Sequence, residues 1–239
     1  MPIRYEEWPP RKVQKKRRHW PKPIRVLVWL LLLPYLLCVL YLVVHPPSMF
    51  MLASVLHGEG AQRTWVPLAR ISPVLIDAVI AAEDAKFCSH DGVDTQALVR
   101  VLQSAPVGQV PSRGASTIPM QTVKNLFLWQ NPALLRKPLE FPLALWADAL
   151  WSKRRTLEIY LNIAQWGEGI FGIEAAARHY FGTSARGLSR QQALLLATSL
   201  PNPAARNPAS PTGAHRELAA ALAARVSREG RASACVWRH

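Results

Sequence analysis

The chain has 239 residues, with 29 Lys and Arg against 15 Asp and Glu, and half of its residues are apolar. The resulting formal net charge of +14 and this apolar fraction exclude an acidic disordered tail and a collagen-like repeat. The length allows one domain of ordinary size plus an appendage.

Half of the net charge is concentrated at the N-terminus. Residues 1–25 contain nine Lys and Arg but only two Glu. A nucleic-acid patch is one interpretation, but the cluster directly precedes an apolar run, and basic flanks of such runs stay in the cytoplasm during membrane insertion. We therefore predict a basic cytoplasmic segment and no nucleic-acid partner.

Residues 26–44 form an apolar run without a single charge. As a helix, it would extend about 28 Å, the thickness of a bilayer's hydrocarbon core. A cleaved signal peptide would have a shorter apolar region, of about 7 to 15 residues, that ends in a small-residue site. We predict an uncleaved, single-pass transmembrane helix that places residues 45–239 outside the cytoplasm.

Three cysteines carry little information. Cys38 lies in the apolar run, which leaves Cys88 and Cys235 as the pair that could oxidise outside the cytoplasm. Because no evident element holds Cys235, two unpaired thiols are the favoured interpretation. No Cys and His spacing indicates zinc.

Beyond the predicted anchor, a membrane-proximal segment at 45–64 includes the apolar stretch 49–56, and a domain begins near Trp65. Ser72 and Pro73 are typical of a helix start. Apolar residues follow at helical spacing, and Glu83 and Phe87 continue the same face. An acidic residue on an apolar face is a candidate functional group.

Most of the remaining chain has helical patterns. A Pro-, Gly- and Ser-rich run at 104–116 predicts a mobile loop. Few stretches alternate with a period of two, so we predict a mainly α domain. The further predicted elements are helices at 118–129, 143–161, 174–181 and 189–200, a turn-rich connection at 167–172, a capping box at Ser189 and Gln192, and a helix at 214–226 before a basic tail.

Three segments combine acidic, basic and small polar residues: 83–94, 114–127, and 136–140 followed by 152–162. They contain, in order, ED-x-x-F-x-x-H-x-G-x-D, G-A-S-T-I, Q-x-x-KNLF, RK-x-x-E and YLN, and AA-x-x-YFG comes later. Over about residues 65–205 the sequence resembles the glycosyltransferase family 51 domain of peptidoglycan polymerases. Because residues 206–239, a helix and basic tail, are too few for a transpeptidase domain, we expect a monofunctional member.

The resemblance implies a lysozyme-like helical glycosyltransferase domain that polymerises lipid II. The 4-hydroxyl of an acceptor sugar attacks the anomeric carbon of a lipid-linked glycan, and undecaprenyl pyrophosphate leaves. Configuration inverts in one displacement, so no covalent glycosyl-enzyme is expected. The implied location is the bacterial inner membrane with a periplasmic domain, and the implied partners are lipid II, lipid-linked glycan and cell-wall synthesis or division proteins.

By resemblance, Glu83 is the catalytic base that removes the hydroxyl proton. Its apolar helical face predicts a pKa raised by desolvation, and we expect Asp84 to be the better-solvated carboxylate. Phe87 and His90 complete this motif at the substrate site, His90 as a hydrogen-bonding positioner.

The leaving diphosphate needs cations and aligned donors. The resemblance assigns this donor side to Ser116, Thr117, Gln121, Lys124 and Arg136. In a helix, positions 117, 121 and 124 would share one face.

Lys137 is either a further substrate-binding cation or a solvated surface charge. Glu140 matches the family's second catalytic Glu. It is expected either to help hold Mg²⁺ or Mn²⁺, with other ligands unknown, or to orient Arg136 or Lys124 in a salt bridge.

Two departures from the family pattern fall on the donor side. Pro119 and Met120 stand where a small polar residue and Gln are usual. Pro138 and Pro142 flank Glu140, and we expect Pro142 to distort a helix start.

The residues at 49–56 and 126–129 are candidates for contact with the membrane interface, although 126–129 fits a core segment equally well. Two other functions remain open: a lytic transglycosylase that cleaves glycan, and a non-catalytic, membrane-anchored scaffold.

Overall fold

The computed structural model describes residues 21–104, 116–130 and 132–237. The loop prediction for 104–116 therefore lies almost entirely outside the described residues. The chain divides into two units, residues 1–33 and 34–239.

The apolar run forms helix α1 (Lys22–Leu40), which includes Pro34 and starts and ends four residues earlier than the predicted span. It is long and apolar enough to cross a membrane. Its large apolar side chains are mostly exposed, as expected of a helix that faces lipid rather than a protein core. These features suggest membrane anchoring.

The second unit is mainly α, which confirms the predicted fold class. Its helices among the described residues are α2 (Met49–Leu56), α3 (Pro73–Glu83), α4 (Thr95–Ser104), α5 (Ile118–Phe127), α6 (Ala133–Leu150), α7 (Lys153–Ile163), α8 (Ile173–Phe181), α9 (Arg190–Ser199) and α10 (Gly213–Glu229), with 3₁₀ turns at Leu68–Arg70 and Ala234–Val236.

Three short strands, β1 (Gln62–Arg63), β2 (Gln165–Gly167) and β3 (Ile170–Phe171), form one sheet in the order β1-β3-β2. The β1–β3 pair is parallel, and the β2–β3 pair is antiparallel. The turn-rich connection predicted at 167–172 is this β2–β3 hairpin. Its Gly172 has φ +78, and a Cβ there would lie 2.7 Å from the Asn162 carbonyl oxygen.

The prediction of one helix at 143–161 is wrong, because the helix is interrupted at residues 151–152, between α6 and α7. Trp151 is extended, with φ −97 and ψ 137. The Ser152 hydroxyl then caps α7 by accepting a hydrogen bond from the Arg155 backbone N–H at 3.2 Å.

Helix α6 begins well before Pro142, so neither of its prolines distorts a helix start. Pro138 and Pro142 lie inside the helix and are exposed. Water can therefore hydrate the carbonyl groups that their missing N–H groups leave without partners.

Helix α3 lies at the centre of the larger hydrophobic core. Its residues Leu75, Ile76 and Ile80 are fully buried and belong to the same cluster as apolar residues of α9 and α10. The helix ends at Glu83, so Phe87 does not continue its face as expected. Phe87 instead enters the core from the following turn. Glu83, the last residue of this well-packed helix, is thus held firmly in place.

The expectation of unpaired Cys88 and Cys235 is wrong. The two form a disulfide with their Cα atoms 5.5 Å apart. The tail after α10 folds back onto α3, where the Ser233 N–H donates to Asp77 Oδ1 at 3.0 Å and Val236 enters the core. This return of the tail, which the sequence pattern did not indicate, brings Cys235 to the loop after Glu83.

We predict that reduction of the disulfide destabilises the domain. The bond closes a loop with a sequence separation of 147 residues, and loss of such a cross-link costs about 2–4 kcal/mol. Thermal unfolding of the detergent-solubilised protein should show a Tm lower by about 5–15 °C with reductant. The Cys88→Ser/Cys235→Ser variant should show the lower Tm with or without reductant. An unchanged wild-type Tm on reduction would contradict the prediction.

Candidate active site

The Glu83 carboxylate is held on one side only. Gln121 Nε2 donates a hydrogen bond to Glu83 Oε2 at 2.8 Å. The other oxygen, Oε1, is buried and has no hydrogen-bond partner among the described residues. Burial raises the pKa of Glu83, and the Gln121 hydrogen bond and the Lys124 charge only partly oppose it. The predicted direction of the pKa shift and its cause therefore agree with the structure.

Tyr160 of α7 orients Gln121. Its buried hydroxyl donates to Gln121 Oε1 at 3.1 Å, so the amide nitrogen is the atom that faces Glu83. Burial raises the pKa of Tyr160 well above its ordinary value, which keeps this hydroxyl protonated as a donor. Tyr160 belongs to the YLN motif, which was the available signal in the sequence for this residue.

Asp84 is not the better-solvated carboxylate that we expected. It is 7% exposed and buried, whereas Glu83 is only partly buried. The chain turns inward at Asp84, where α3 ends, and its carboxylate accepts hydrogen bonds from the Ile118 backbone N–H at 2.9 Å and from His90 Nε2 at 2.9 Å. Asp84 thus connects the end of α3 to the start of α5.

The residues at the start of α5 serve the fold. Thr117 is its N-cap, and its hydroxyl accepts from the Met120 N–H and donates to the Gly92 carbonyl oxygen at 2.6 Å. Pro119 fits the first helical turn, and Met120 is buried in the core, so this departure from the family pattern leaves α5 intact. Ser116, just before the cap, is partly buried.

Positions 121 and 124 face a common cavity, whereas Thr117 does not line it. The cavity has a volume of about 990 Å³. Its described lining comes from α2 (Phe50, Ala53, Ser54) and the residues just after it (His57, Glu59), from α5 (Gln121, Lys124, Asn125), from Arg136 and Tyr160, from the β2–β3 hairpin (Gln165, Gly167, Glu168) and from the segment after α9 (Leu200, Pro201, Pro203, Ala204, Asn207), with Gln130, Ala164 and Tyr180 completing it.

The contribution of α2 to the cavity lining was not predicted from the sequence, because the segment 49–56 was interpreted only as a membrane-facing stretch. Glu83 and Glu140 do not themselves line the cavity among the described residues. Each contacts a lining side chain, Gln121 and Arg136 respectively.

Two basic side chains, Lys124 and Arg136, line the cavity together with Gln121. The Lys124 ammonium nitrogen is 5.7 Å from the centroid of the Phe50 ring. Burial lowers the pKa of Lys124, as does the nearby Arg136 charge, while Glu140 and Glu83 act in the opposite direction. Lys137 follows on α6 and is partly buried.

Arg136 and Glu140 form an ion pair one helical turn apart on α6, in which the guanidinium donates to Glu140 Oε1. Both side chains are buried, and burial raises the pKa of Glu140 against the opposing Arg136 and Lys124 charges. This is the salt-bridge alternative considered for Glu140.

The residues do not fit a resident divalent cation. No group of three or more His, Cys, Asp or Glu that could hold a metal occurs in residues 21–104, 116–130 and 132–237. Glu140, the expected ligand, already accepts from Arg136.

Comparisons with known proteins agree on the family. A sequence model described as transglycosylase matches residues 51–227. The biosynthetic peptidoglycan transglycosylase of Rhizobium meliloti (strain 1021) is 50% identical over 227 residues, which cover 92% of this chain and 96% of that relative. The protein of the same name from Brucella suis biovar 1 (strain 1330) is 54% identical over 215 residues, which cover 89% and 96%.

A third relative, the biosynthetic peptidoglycan transglycosylase of Nitrobacter hamburgensis, is 51% identical over 197 residues, which cover 82% of this chain and 87% of the relative. The family match includes every helix from α3 to α9 and all of the described cavity lining except Phe50. This chain belongs to the transglycosylase family.

Proposed function

We propose that this protein is a peptidoglycan glycosyltransferase that polymerises lipid II into linear glycan strands for cell-wall synthesis and releases undecaprenyl pyrophosphate. Its family and the names of its relatives support the reaction. The observation that carries the proposal is a buried carboxylate with one unpartnered oxygen, Glu83 Oε1, close to the charge of Lys124. One group can accept a proton while the other stabilises a leaving diphosphate.

Glu83 acts as the general base. As the acceptor 4-hydroxyl attacks the anomeric carbon, its proton moves to Glu83 Oε1, whose lone pairs are not used by another residue in the described structure. Burial raises the pKa of Glu83 toward the working pH, which makes the carboxylate a stronger base. Gln121, fixed by Tyr160, keeps the other oxygen in place.

Lys124 and Arg136 stabilise the negative charge that develops on the leaving diphosphate. Both line the cavity, and ammonium and guanidinium groups form strong charge-assisted hydrogen bonds to phosphate oxygens. Glu140 orients Arg136 through their ion pair. Lys137, Ser116 and Thr117 remain predicted contributors to the donor side, Thr117 through its cap of α5. No step in this scheme passes through a metal ion.

The substrate's lipid tails require the site to lie near a membrane surface. We propose that α1 anchors the protein in the inner membrane with the N-terminus in the cytoplasm and the catalytic domain in the periplasm. Exposed apolar side chains on α2 and at Trp129 support contact with the interface, whereas Leu126 and Leu128 belong to the core. Proteins of cell-wall synthesis or division remain predicted partners.

Synthesis and cleavage of glycan are distinguished by two substrates. The full-length protein in detergent is incubated with labelled lipid II and, separately, with purified sacculi. We expect glycan polymer from lipid II and no soluble fragments from sacculi. Fragments without polymer would support a lytic enzyme, and neither product would support a scaffold.

The Glu83→Gln variant should polymerise lipid II about 10²–10⁴-fold more slowly than the wild type, because the amide cannot accept the hydroxyl proton. Product formation from labelled lipid II measures the rate. Glu217→Gln makes the same change at an exposed position of α10 and should retain wild-type activity. Equal rates for Glu83→Gln and the wild type would show that another group is the base.

The pH dependence of activity should report the Gln121 hydrogen bond. Because the base must be ionised, activity falls as the pH drops through the raised pKa of Glu83. The Gln121 hydrogen bond stabilises the charged form, so Gln121→Leu removes a factor that lowers this pKa. The acid limb of kcat/KM should therefore move to higher pH in the variant, and a shift to lower pH would contradict this assignment.

A further inference from the structure

One aromatic side chain in the cavity lies outside every motif that points to the reaction. Phe50 belongs to the membrane-proximal helix α2, and the centroid of its ring is 5.7 Å from Lys124 Nζ. We propose that Phe50 is a positioning residue for the donor diphosphate, because its ring face holds the Lys124 ammonium in the cavity until the diphosphate binds. This inference rests on the proposed function.

The Lys124 charge is poorly compensated without this ring. Burial and the neighbouring Arg136 both disfavour the ammonium form. The charges of Glu140 and Glu83 favour it and oppose this effect only in part. Glu140 also accepts a hydrogen bond from Arg136, and one oxygen of Glu83 accepts from Gln121. Among residues 21–104, 116–130 and 132–237, no ion pair involves Lys124. A ring face within about 6 Å attracts a cation electrostatically.

The fold fixes the position of the ring. The Ser48 hydroxyl caps α2 by accepting from the Met51 N–H at 3.1 Å, and Met51 next to Phe50 is buried. At the other end of α2, the Ser54 hydroxyl donates to Glu59 Oε2 at 2.9 Å. Phe50 is therefore presented by a capped helix that packs against α5, the helix that carries Lys124.

An aromatic face suits this task better than a carboxylate does. A carboxylate would form hydrogen bonds with the ammonium and compete with the incoming diphosphate for the same N–H donors. The ring has no lone pair that accepts a hydrogen bond from the ammonium group. The three N–H donors of Lys124 therefore remain available to phosphate oxygens. A diphosphate then binds an ammonium that is already oriented toward the cavity.

We assign the alkaline limb of activity to Lys124, whose surroundings contain several other titratable groups. The charges that act on it come from Glu83 of α3 and from Arg136 and Glu140 of α6. His57, Glu59 and Glu168 also line the cavity. Burial lowers the pKa of Lys124, whereas it raises the pKa of Tyr160 and of Tyr180.

The test compares Phe50→Leu, which stays apolar but loses the ring, with Phe50→Tyr, which keeps it. For full-length protein in detergent, Phe50→Leu should lower kcat/KM for lipid II about 3–10-fold. It should also move the alkaline limb of the pH profile to lower pH, since the ammonium loses a stabilising contact. Phe50→Tyr should keep the wild-type limb. Leu218→Ala, at an exposed position of α10, serves as the control and should also keep it.

Two results would overturn the inference: identical alkaline limbs for Phe50→Leu and Phe50→Tyr, or an equal loss of kcat/KM in both variants. If Phe50→Leu lowers the Tm of the protein, Phe50→Met replaces it in the test, because Met fills more of the ring's volume with a flexible chain. The alkaline limb and kcat/KM of Phe50→Met are then compared with those of Phe50→Tyr. Absence of polymer from the wild type would reject the proposed function itself, which separates that failure from a failure of the Phe50 inference.

Discussion

The buried carboxylate of Asp84 joins the two helices on which the site is built. It accepts hydrogen bonds from the first N–H of α5 and from His90, directly after the last residue of α3. Helix α3 carries Glu83, and α5 carries Gln121 and Lys124. The Asp84 carboxylate therefore fixes the position of the proposed base relative to its hydrogen-bond donor and to the neighbouring cation. A buried carboxylate must be satisfied in this way, since an unpaired one would cost several kcal/mol.

The site contains few charges, and nearly all are restrained by a neighbour. Glu83 is held by Gln121, and Glu140 is paired with Arg136. Lys124 differs, because its ammonium group lies over the face of an aromatic ring. An ion pair would neutralise the group before substrate arrives, whereas a ring leaves its donors available for phosphate oxygens. The arrangement suits a reaction that moves negative charge from a base toward a leaving diphosphate.

In the proposed function, helix α2 connects this chemistry to the membrane. One face lines the cavity through Phe50 and Ser54, while Met49, Leu52, Val55 and Leu56 are exposed on the other. A substrate with a long lipid tail must keep its diphosphate in the cavity while the tail stays in hydrocarbon. A short, largely apolar helix between the two environments meets both requirements, and β1 and its pairing with β3 attach the following segment to the domain.

The sequence by itself determined the features that depend on local order. The charge-free run predicted α1, helical spacing predicted α3 and α9, and Ser189 and Gln192 predicted a capping box that the structure contains. The motifs identified the family and placed Glu83 on an apolar face. Only the tertiary structure decided which residues far apart in the chain meet: Cys88 with Cys235, Asp84 with the start of α5, and Phe50 with Lys124. Such contacts depend on how helices pack and how the tail returns, and periodicity along one segment carries no information about either.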